Sequence, residues 1–358
     1  MHKKLFIPGP VDVRPDVLEK MATPMISHRG KAATELQKNI SQKLQKVFQT
    51  QNVIVLSTTS GSGLMESAIR CCTAKRAAVF SVGAFGDRWY KMAVSNNVPA
   101  DKFRAEDGKA TDPADVDAAL ATGKYDLVTI THNETSVGIM NPVKEIAEVI
   151  RKYPDVVFCM DTVSSMGGAD IPVDALGCDF CITSTQKCLG LPPGMSIASV
   201  SQKAIDRART VPNRGLYLDI VEIYDKVVKD DKYQYPSTPS LSHMFAMDYQ
   251  LDNILKEGLE HRWAHHAEMA EVVRAWARKY FEIFSDERYL SNTLTTIKNT
   301  RGISVSDLNK KLGERGFELS NGYGDLKEKT FRIAHMADAT MEDLQALLRA
   351  IEEILGLN

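Results

Sequence analysis

A lysine and an aspartate stand just beyond two apolar runs that are close together in the chain. Phe180-Cys181-Ile182-Thr183 gives way to Ser184-Thr185-Gln186-Lys187 and then to the loop Gly190-Leu191-Pro192-Pro193-Gly194. Upstream, Val156-Val157-Phe158-Cys159-Met160 ends in Asp161, with Thr162-Val163-Ser164-Ser165 after it. Each run reads as a strand that stops in small polar residues, which sets an amine and a carboxylate at the carboxyl edge of one sheet. Open α/β sheets bind their ligands beyond that edge. Taken singly, such a lysine is ordinarily solvated and such an aspartate ordinarily caps a helix.

A third feature changes that balance. Thr58-Thr59-Ser60-Gly61-Ser62-Gly63 follows the apolar run Val53-Ile54-Val55-Leu56 and precedes a helical pattern from Leu64 to Cys72. Backbone amides at such a helix start, together with the hydroxyls, form an anion site. An amine, an acid and a phosphate cradle on one sheet edge are what pyridoxal 5′-phosphate requires: a lysine for its carbonyl carbon and an acid against its ring nitrogen.

The elements that must position these groups are legible from apolar runs alternating with helical patterns between Val53 and about Val200. Further strands are expected at Ala77-Ala78-Val79-Phe80 and Leu127-Val128-Thr129-Ile130, with helices from about Asp87 and from Pro142 to Tyr153. That alternation predicts an α/β fold with a mainly parallel sheet covered by helices on both faces. One long helix, roughly Ser242 to Tyr280 with Gly258 inside it, follows. Beyond it, Leu294-Thr295-Thr296-Ile297, a helix from Val305 to Arg315, Thr330-Phe331-Arg332-Ile333 and a closing helix from Met341 predict a smaller α+β unit. We place an N-terminal arm and large domain at 1–255 and the small C-terminal domain at 256–358.

Composition bounds the rest. The 358 residues are 44% hydrophobic and 25% charged, with a net charge of -2, which suits a globular protein and gives no reason to expect nucleic acid or an anionic membrane as partner. No signal peptide or spanning stretch is visible, so a cytoplasmic location is expected. Six cysteines show no framework spacing; Cys178 and Cys181 form an isolated C-x-x-C, and Cys188 adjoins Lys187. His261 and His265 lie four apart without a third ligand, so no metal is expected.

With these residues in view, the chain resembles the class V (fold type I) pyridoxal-phosphate aminotransferases, near the alanine–glyoxylate and serine–pyruvate branch. The resemblance runs through Pro8-Gly9-Pro10, Ser60-Gly61-Ser62-Gly63, Gly83-Ala84-Phe85-Gly86, His132-Asn133-Glu134-Thr135-Ser136-Val137-Gly138, Asp161-Thr162-Val163, Ser184-Thr185-Gln186-Lys187, Tyr235-Pro236-Ser237-Thr238-Pro239 and Phe331-Arg332-Ile333. It implies that Lys187 carries the cofactor and moves the substrate's α-proton, while Asp161 keeps the pyridine nitrogen protonated. Ser62, Gly63, the Leu64 amide and Gln186 would hold the phosphate, Thr135 the ring hydroxyl, and Phe85 and Val163 would flank the ring. Leu64 and Phe85 are departures, since relatives carry histidine and tryptophan there. Tyr235 and Thr238 would reach the phosphate of a neighbouring subunit, which implies a homodimer.

For the substrate, Arg332 is the candidate for a carboxylate clamp, with Gly9 beside it. His28 and Arg29, within Ser27-His28-Arg29-Gly30-Lys31, resemble a segment that grips a substrate phosphate in phosphoserine aminotransferases. His335 either joins an anion pocket or packs under the small domain. The resulting expectation is a transaminase moving an amino group from alanine or serine to glyoxylate or pyruvate by ping-pong chemistry. Phosphoserine with 2-oxoglutarate is the alternative, and aspartate stays open as a donor. A cysteine desulfurase would need a catalytic cysteine on a later loop, and none follows Cys188; a non-catalytic cofactor-binding protein would lack Lys187, Asp161 or Arg332.

Overall fold

Alternation of side chains along seven short strands divides the larger sheet into two apolar faces. Ile54, Leu56, Phe80, Ile130, Phe158 and Met160 enter one core, and their neighbours Val55, Val79, Leu127, Val157, Cys159 and Ile182 enter the other. This is the period of two expected of strands buried on both sides. In the computed structural model, which describes residues 2–357, the strand order is Val53–Ser57, Ser196–Val200, Phe180–Ser184, Val157–Asp161, Leu127–Thr131, Ala77–Ser81, Ala100–Arg104. Only Ser196–Val200 runs antiparallel to its neighbours. The α/β class and the mainly parallel sheet agree with the sequence reading.

Helices seal both faces. Lys31–Phe48, Pro113–Leu120, Val143–Ile150 and Leu241–Glu257 cover the first core; Gly61–Cys72, Ala84–Ser95, Gln202–Thr210 and Ile220–Val228 cover the second. The helix expected from about Asp87 starts three residues earlier, at Ala84, because a buried carboxylate described below caps it.

Two expectations need correction. The long helix is two helices, Leu241–Glu257 and Leu259–Tyr280, broken at Gly258 with φ 90° and ψ 132°. Helical periodicity continues through the break, so the pattern conceals it, whereas the backbone there is one that favours glycine. The second correction concerns the chain's start. The five-stranded small sheet runs Lys4–Phe6, Phe317–Asn321, Thr330–Ala334, Leu294–Lys298, Glu282–Ile283. Lys4–Phe6 pairs parallel with Phe317–Leu319, and Phe6 is buried in the small unit's core. The smaller sheet therefore draws on both ends of the chain, and the N-terminal arm does not belong wholly with 1–255. Three residues are too few to announce a strand by alternation. Among the described residues, no helix is long and apolar enough to cross a membrane.

Gly258→Ala should cost about 1–3 kcal/mol, because alanine is strained at this φ although no neighbour obstructs its Cβ. The midpoint of urea unfolding checks this; an unchanged or raised midpoint would show that the break is relaxed by shifting rather than held.

Candidate active site

The Val157–Asp161 and Phe180–Ser184 strands pair parallel with Asp161 opposite Ile182, so Asp161 and the residues after Ser184 emerge at the same edge. There they border a cavity of about 160 Å³. Of the residues singled out above, Ser62, Phe85, Thr135, Asp161, Val163, Gln186 and Lys187 are its walls. A larger groove of about 540 Å³ lies between Phe103 and the Pro113–Leu120 helix, but it holds no comparable gathering of amine, acid and helix start.

Lys187 is partly buried, and its Nζ donates a hydrogen bond to the carbonyl of Pro8. Desolvation lowers its pKa to about 8, so at mildly alkaline pH much of it is a neutral amine. Gly9 is required for this approach. A Cβ there would lie 2.6 Å from both Cδ and Nζ of Lys187, and the backbone has φ +95°. Gly9 thus packs against the lysine rather than lining the cavity. Asp161 is buried, and its Oδ1 accepts a 2.8 Å hydrogen bond from the Val163 amide. Burial pushes its pKa up to about 6, against the pull of that amide. A desolvated carboxylate with one hydrogen bond and no ion pair among the described residues suits a cationic ring nitrogen as partner.

The anion end is the start of the Gly61–Cys72 helix, where Ser60, Gly61 and Ser62 face the cavity. First-turn amides have no preceding carbonyl to bond and are free to hold a phosphate. A Cβ on Gly61 would come 2.6 Å from Val163 Cγ2, which keeps this position bare. Gln186 accepts from Ser184 Oγ at 2.5 Å through Oε1, which leaves its NH2 as the donor end. These residues fit a phosphorylated pyridine aldehyde: a phosphate cradle, an acid for the ring nitrogen and an amine for the carbonyl.

Arg332 lies behind the wall. Its Nη1 donates to the Thr135 carbonyl at 3.1 Å, and Nε and Nη2 donate to Asn321 O at 3.1 and 3.0 Å. A guanidinium has five N–H donors. Two therefore remain, one on each terminal nitrogen, and this is the pair a carboxylate takes bidentately. Burial lowers its pKa to about 10, still a cation at neutral pH.

Other expected residues lie elsewhere. Gly63 donates its amide to Ser60 O at 2.8 Å, so its part is steric: a Cβ would meet Thr59 Oγ1 at 2.5 Å. The Leu64 side chain is buried in the core. Arg29 donates to Gln234 Oε1 and to the carbonyls of Tyr235, Pro236 and Ser237, and neither it nor His28 lines the cavity. Tyr235 is buried and Thr238 exposed, both outside their own chain's cavity. His335 is fully buried with neither ring nitrogen partnered, and burial drops its pKa to about 3, so it is a neutral interior ring rather than part of an anion pocket. Cys188 is buried and its thiol pushed up to about 12, which favours packing over reactivity. His261 pairs with Glu257 at 3.6 Å, and His265 bonds the Ala339 carbonyl.

Three residues carry no assigned role in the sequence reading, although Asn133 and Glu134 lie in a run it quotes. Arg88, one turn after Phe85, donates to Ser62 Oγ at 2.9 Å and lies 4.8 Å from the Phe85 ring centre. Its spacing of three from Phe85 on a helix was the available signal. Asn133 lines the cavity, with Nδ2 held by Ser164 Oγ and Thr293 Oγ1 and Oδ1 buried without a partner. Glu134 is fully buried and accepts from Phe85 N, Gly86 N, Ser136 N and Ser136 Oγ at 3.0, 2.9, 3.1 and 2.6 Å. An acid in an otherwise uncharged run marks it, but its partners are not visible in sequence.

Comparison with known proteins agrees with this chemistry. The sequence pattern of the family Aminotransferase class-V matches residues 17–347. An uncharacterized aminotransferase of Methanocaldococcus jannaschii is 37% identical over 360 residues, covering 98% of this chain and 92% of the relative. A serine–glyoxylate aminotransferase of Arabidopsis thaliana is 29% identical, covering 98% and 90%. The solved structure of an alanine–glyoxylate aminotransferase from Nostoc sp. superposes with a TM-score of 0.93 at 26% identity, covering 99% of this chain and 96% of that one.

The folded, cofactor-free chain holds the Asp161 proton up to about pH 6, whereas an unfolded aspartate loses it near about 3.9. Asp161 thus makes stability fall as pH rises across that window. Cofactor-free Asp161→Asn should therefore outlast the cofactor-free parent in urea at pH 7.5; equal or lower resistance contradicts the assignment. Glu134→Gln turns one acceptor oxygen into a donor facing N–H groups. It should cost about 2–4 kcal/mol and weaken cofactor binding, read by urea unfolding and equilibrium dialysis.

Proposed function

This chain belongs to the class-V aminotransferases, which depend on pyridoxal 5′-phosphate, and we propose that it moves the amino group of a small amino acid, alanine or serine, to glyoxylate or pyruvate. The observation that carries this reading is one cavity that gathers Lys187, Asp161 and the Ser60–Ser62 helix start, beside an Arg332 with two unspent N–H groups. The two remaining N–H groups of Arg332 match the α-carboxylate of such a donor, while Arg88, the other guanidinium at the cavity, is joined to Ser62 at the helix-start end. The phosphoserine alternative needs a second anion clamp, and Arg29 already has four acceptors on the 234–237 segment.

When bound, pyridoxal 5′-phosphate supplies a carbonyl for the amine and a ring that accepts electrons. The chain's own residues do the rest. Asp161 holds its negative charge against the ring nitrogen. The Gly61 and Ser62 amides and Gln186 bind the phosphate, and Phe85 limits water access to one face. Arg332 takes the donor's α-carboxylate and so orients its α-hydrogen. Lys187, whose pKa burial lowers to about 8, takes that proton from the α-carbon and would pass it to the cofactor's carbonyl carbon, and the second half-reaction runs the same transfer in reverse.

We also infer a homodimer in which Tyr235 and Thr238 reach the partner's phosphate. In support, neither borders its own cavity, and Arg29 pins the segment that bears them.

The test is an absorbance titration of the cofactor-loaded enzyme with L-alanine, L-serine, L-aspartate and O-phospho-L-serine. Bleaching of the lysine-bound cofactor band at the lowest concentrations by alanine or serine is expected; earlier bleaching by phosphoserine would overturn the donor assignment. Lys187→Ala should lower turnover about a thousandfold or more and prevent borohydride from fixing the cofactor to the chain. Normal turnover in that variant would remove Lys187 from the chemistry.

A further inference from the structure

Tyr323 is a large exposed aromatic, 39% accessible, with no part in the reaction described so far. Tyr217, another exposed aromatic, makes no ring contact with the residues of the cleft. Tyr323 does: its ring centre is 5.6 Å from that of Phe85, tilted 45°, and Arg332 Cζ lies 5.6 Å from the same ring. It thus bridges the side chain assigned to the cofactor ring and the one assigned to the substrate carboxylate. Phe85 comes from the helix over the large sheet, and Arg332 from the small sheet.

The loop that presents Tyr323 is braced. Gly322 donates its amide to Thr330 O at 2.9 Å, and a Cβ there would strike Leu326 O at 2.0 Å. Gly324 follows with φ +56°, and the Leu326 amide closes back on Tyr323 O at 3.1 Å. Glu328 ties the loop's two ends, accepting from Asn321 Nδ2 at 2.6 Å and from the Val305 amide at 2.7 Å. The backbone that presents the ring is therefore fixed at both ends of the loop.

The guanidinium explains what the ring does. Its in-plane donors are divided between two backbone carbonyls and two free N–H groups. An aromatic ring beside the guanidinium takes none of these donors and adds apolar cover to the cation. Seated between Phe85 and Arg332, the same ring narrows the cleft on the side that Phe85 walls.

Resting on the transaminase reading above, we propose that Tyr323 is the specificity-determining residue of this site: its ring closes the carboxylate end and restricts the amino donor to small side chains. Steric bulk carries the effect, and the phenol hydroxyl does not.

Tyr323→Ala and Tyr323→Phe decide this, since an exposed loop side chain can be changed without loss of the core. Donor preference is read as the ratio of kcat/KM for L-phenylalanine to that for L-alanine with pyruvate. Carboxylate binding is read separately, as the Kd of propionate from the cofactor's difference spectrum. Tyr323→Ala should raise the ratio by about tenfold or more and weaken propionate severalfold, while Tyr323→Phe leaves both at the parent's values. An unchanged ratio and unchanged propionate affinity in Tyr323→Ala would overturn the proposal, as would a Tyr323→Phe variant that behaves like the alanine one. Failure of the parent to use any amino donor would instead sink the transaminase reading, and the propionate titration would still judge Tyr323.

Discussion

The carboxylate of Glu134 sits fully buried at the start of the Ala84–Ser95 helix, where it accepts the amides of Phe85 and Gly86 with one oxygen and the amide and hydroxyl of Ser136 with the other. Gly83 leaves room for it, since a Cβ there would lie 2.4 Å from Glu134 Cγ. Burial raises its pKa while these four bonds oppose the rise. An unmet acid at such depth would be far costlier than a lost surface contact, so the turn and the helix are held together. The same turn carries Asn133 and Thr135 into the cavity, and the Thr135 carbonyl receives Arg332. At its far end a Cβ on Gly138 would meet Thr296 Oγ1 at 2.7 Å, and Ser291 donates its amide to Gly138 O at 3.0 Å. The small sheet thus docks on the turn that also places Phe85. One buried acid ties Phe85, Thr135 and Arg332 to a common frame.

Around that frame the reactive groups are kept short of partners. Burial pushes Asp161 up to about 6, Lys187 down to about 8 and Arg332 down to about 10. In each case desolvation is the largest cause. The cofactor-free protein bears this cost as reduced stability, and ligand binding returns it by mass action. The anion end has no such charge problem because a helix start offers neutral donors. Arg88 adds a cation beside it, joined to Ser62 and lying against Phe85, so the helix start and Phe85 are not independent.

Strand alternation and the residues that end each strand were readable without coordinates. Period-two burial follows directly from pleat geometry, and a strand that stops in Asp161 or runs on to Lys187 can only present that group at its carboxyl edge. The α/β class, the parallel order and the meeting of amine, acid and helix start are local facts repeated along the chain. What was not readable depends on partners far away in sequence. Lys4–Phe6 becomes a strand only because Phe317–Leu319 offers an edge. Arg29 is absorbed by the Gln234 side chain and by three backbone carbonyls 206 to 208 residues on, and His335 is silenced by burial. Glu134 and Tyr323 look like ordinary polar residues until their neighbours are known. The sequence by itself determined which chemical groups stand at the ends of which strands, because that follows from short-range periodicity. The tertiary structure alone decided which of them are desolvated, which are already partnered and which face the cavity, because those properties belong to contacts between distant segments.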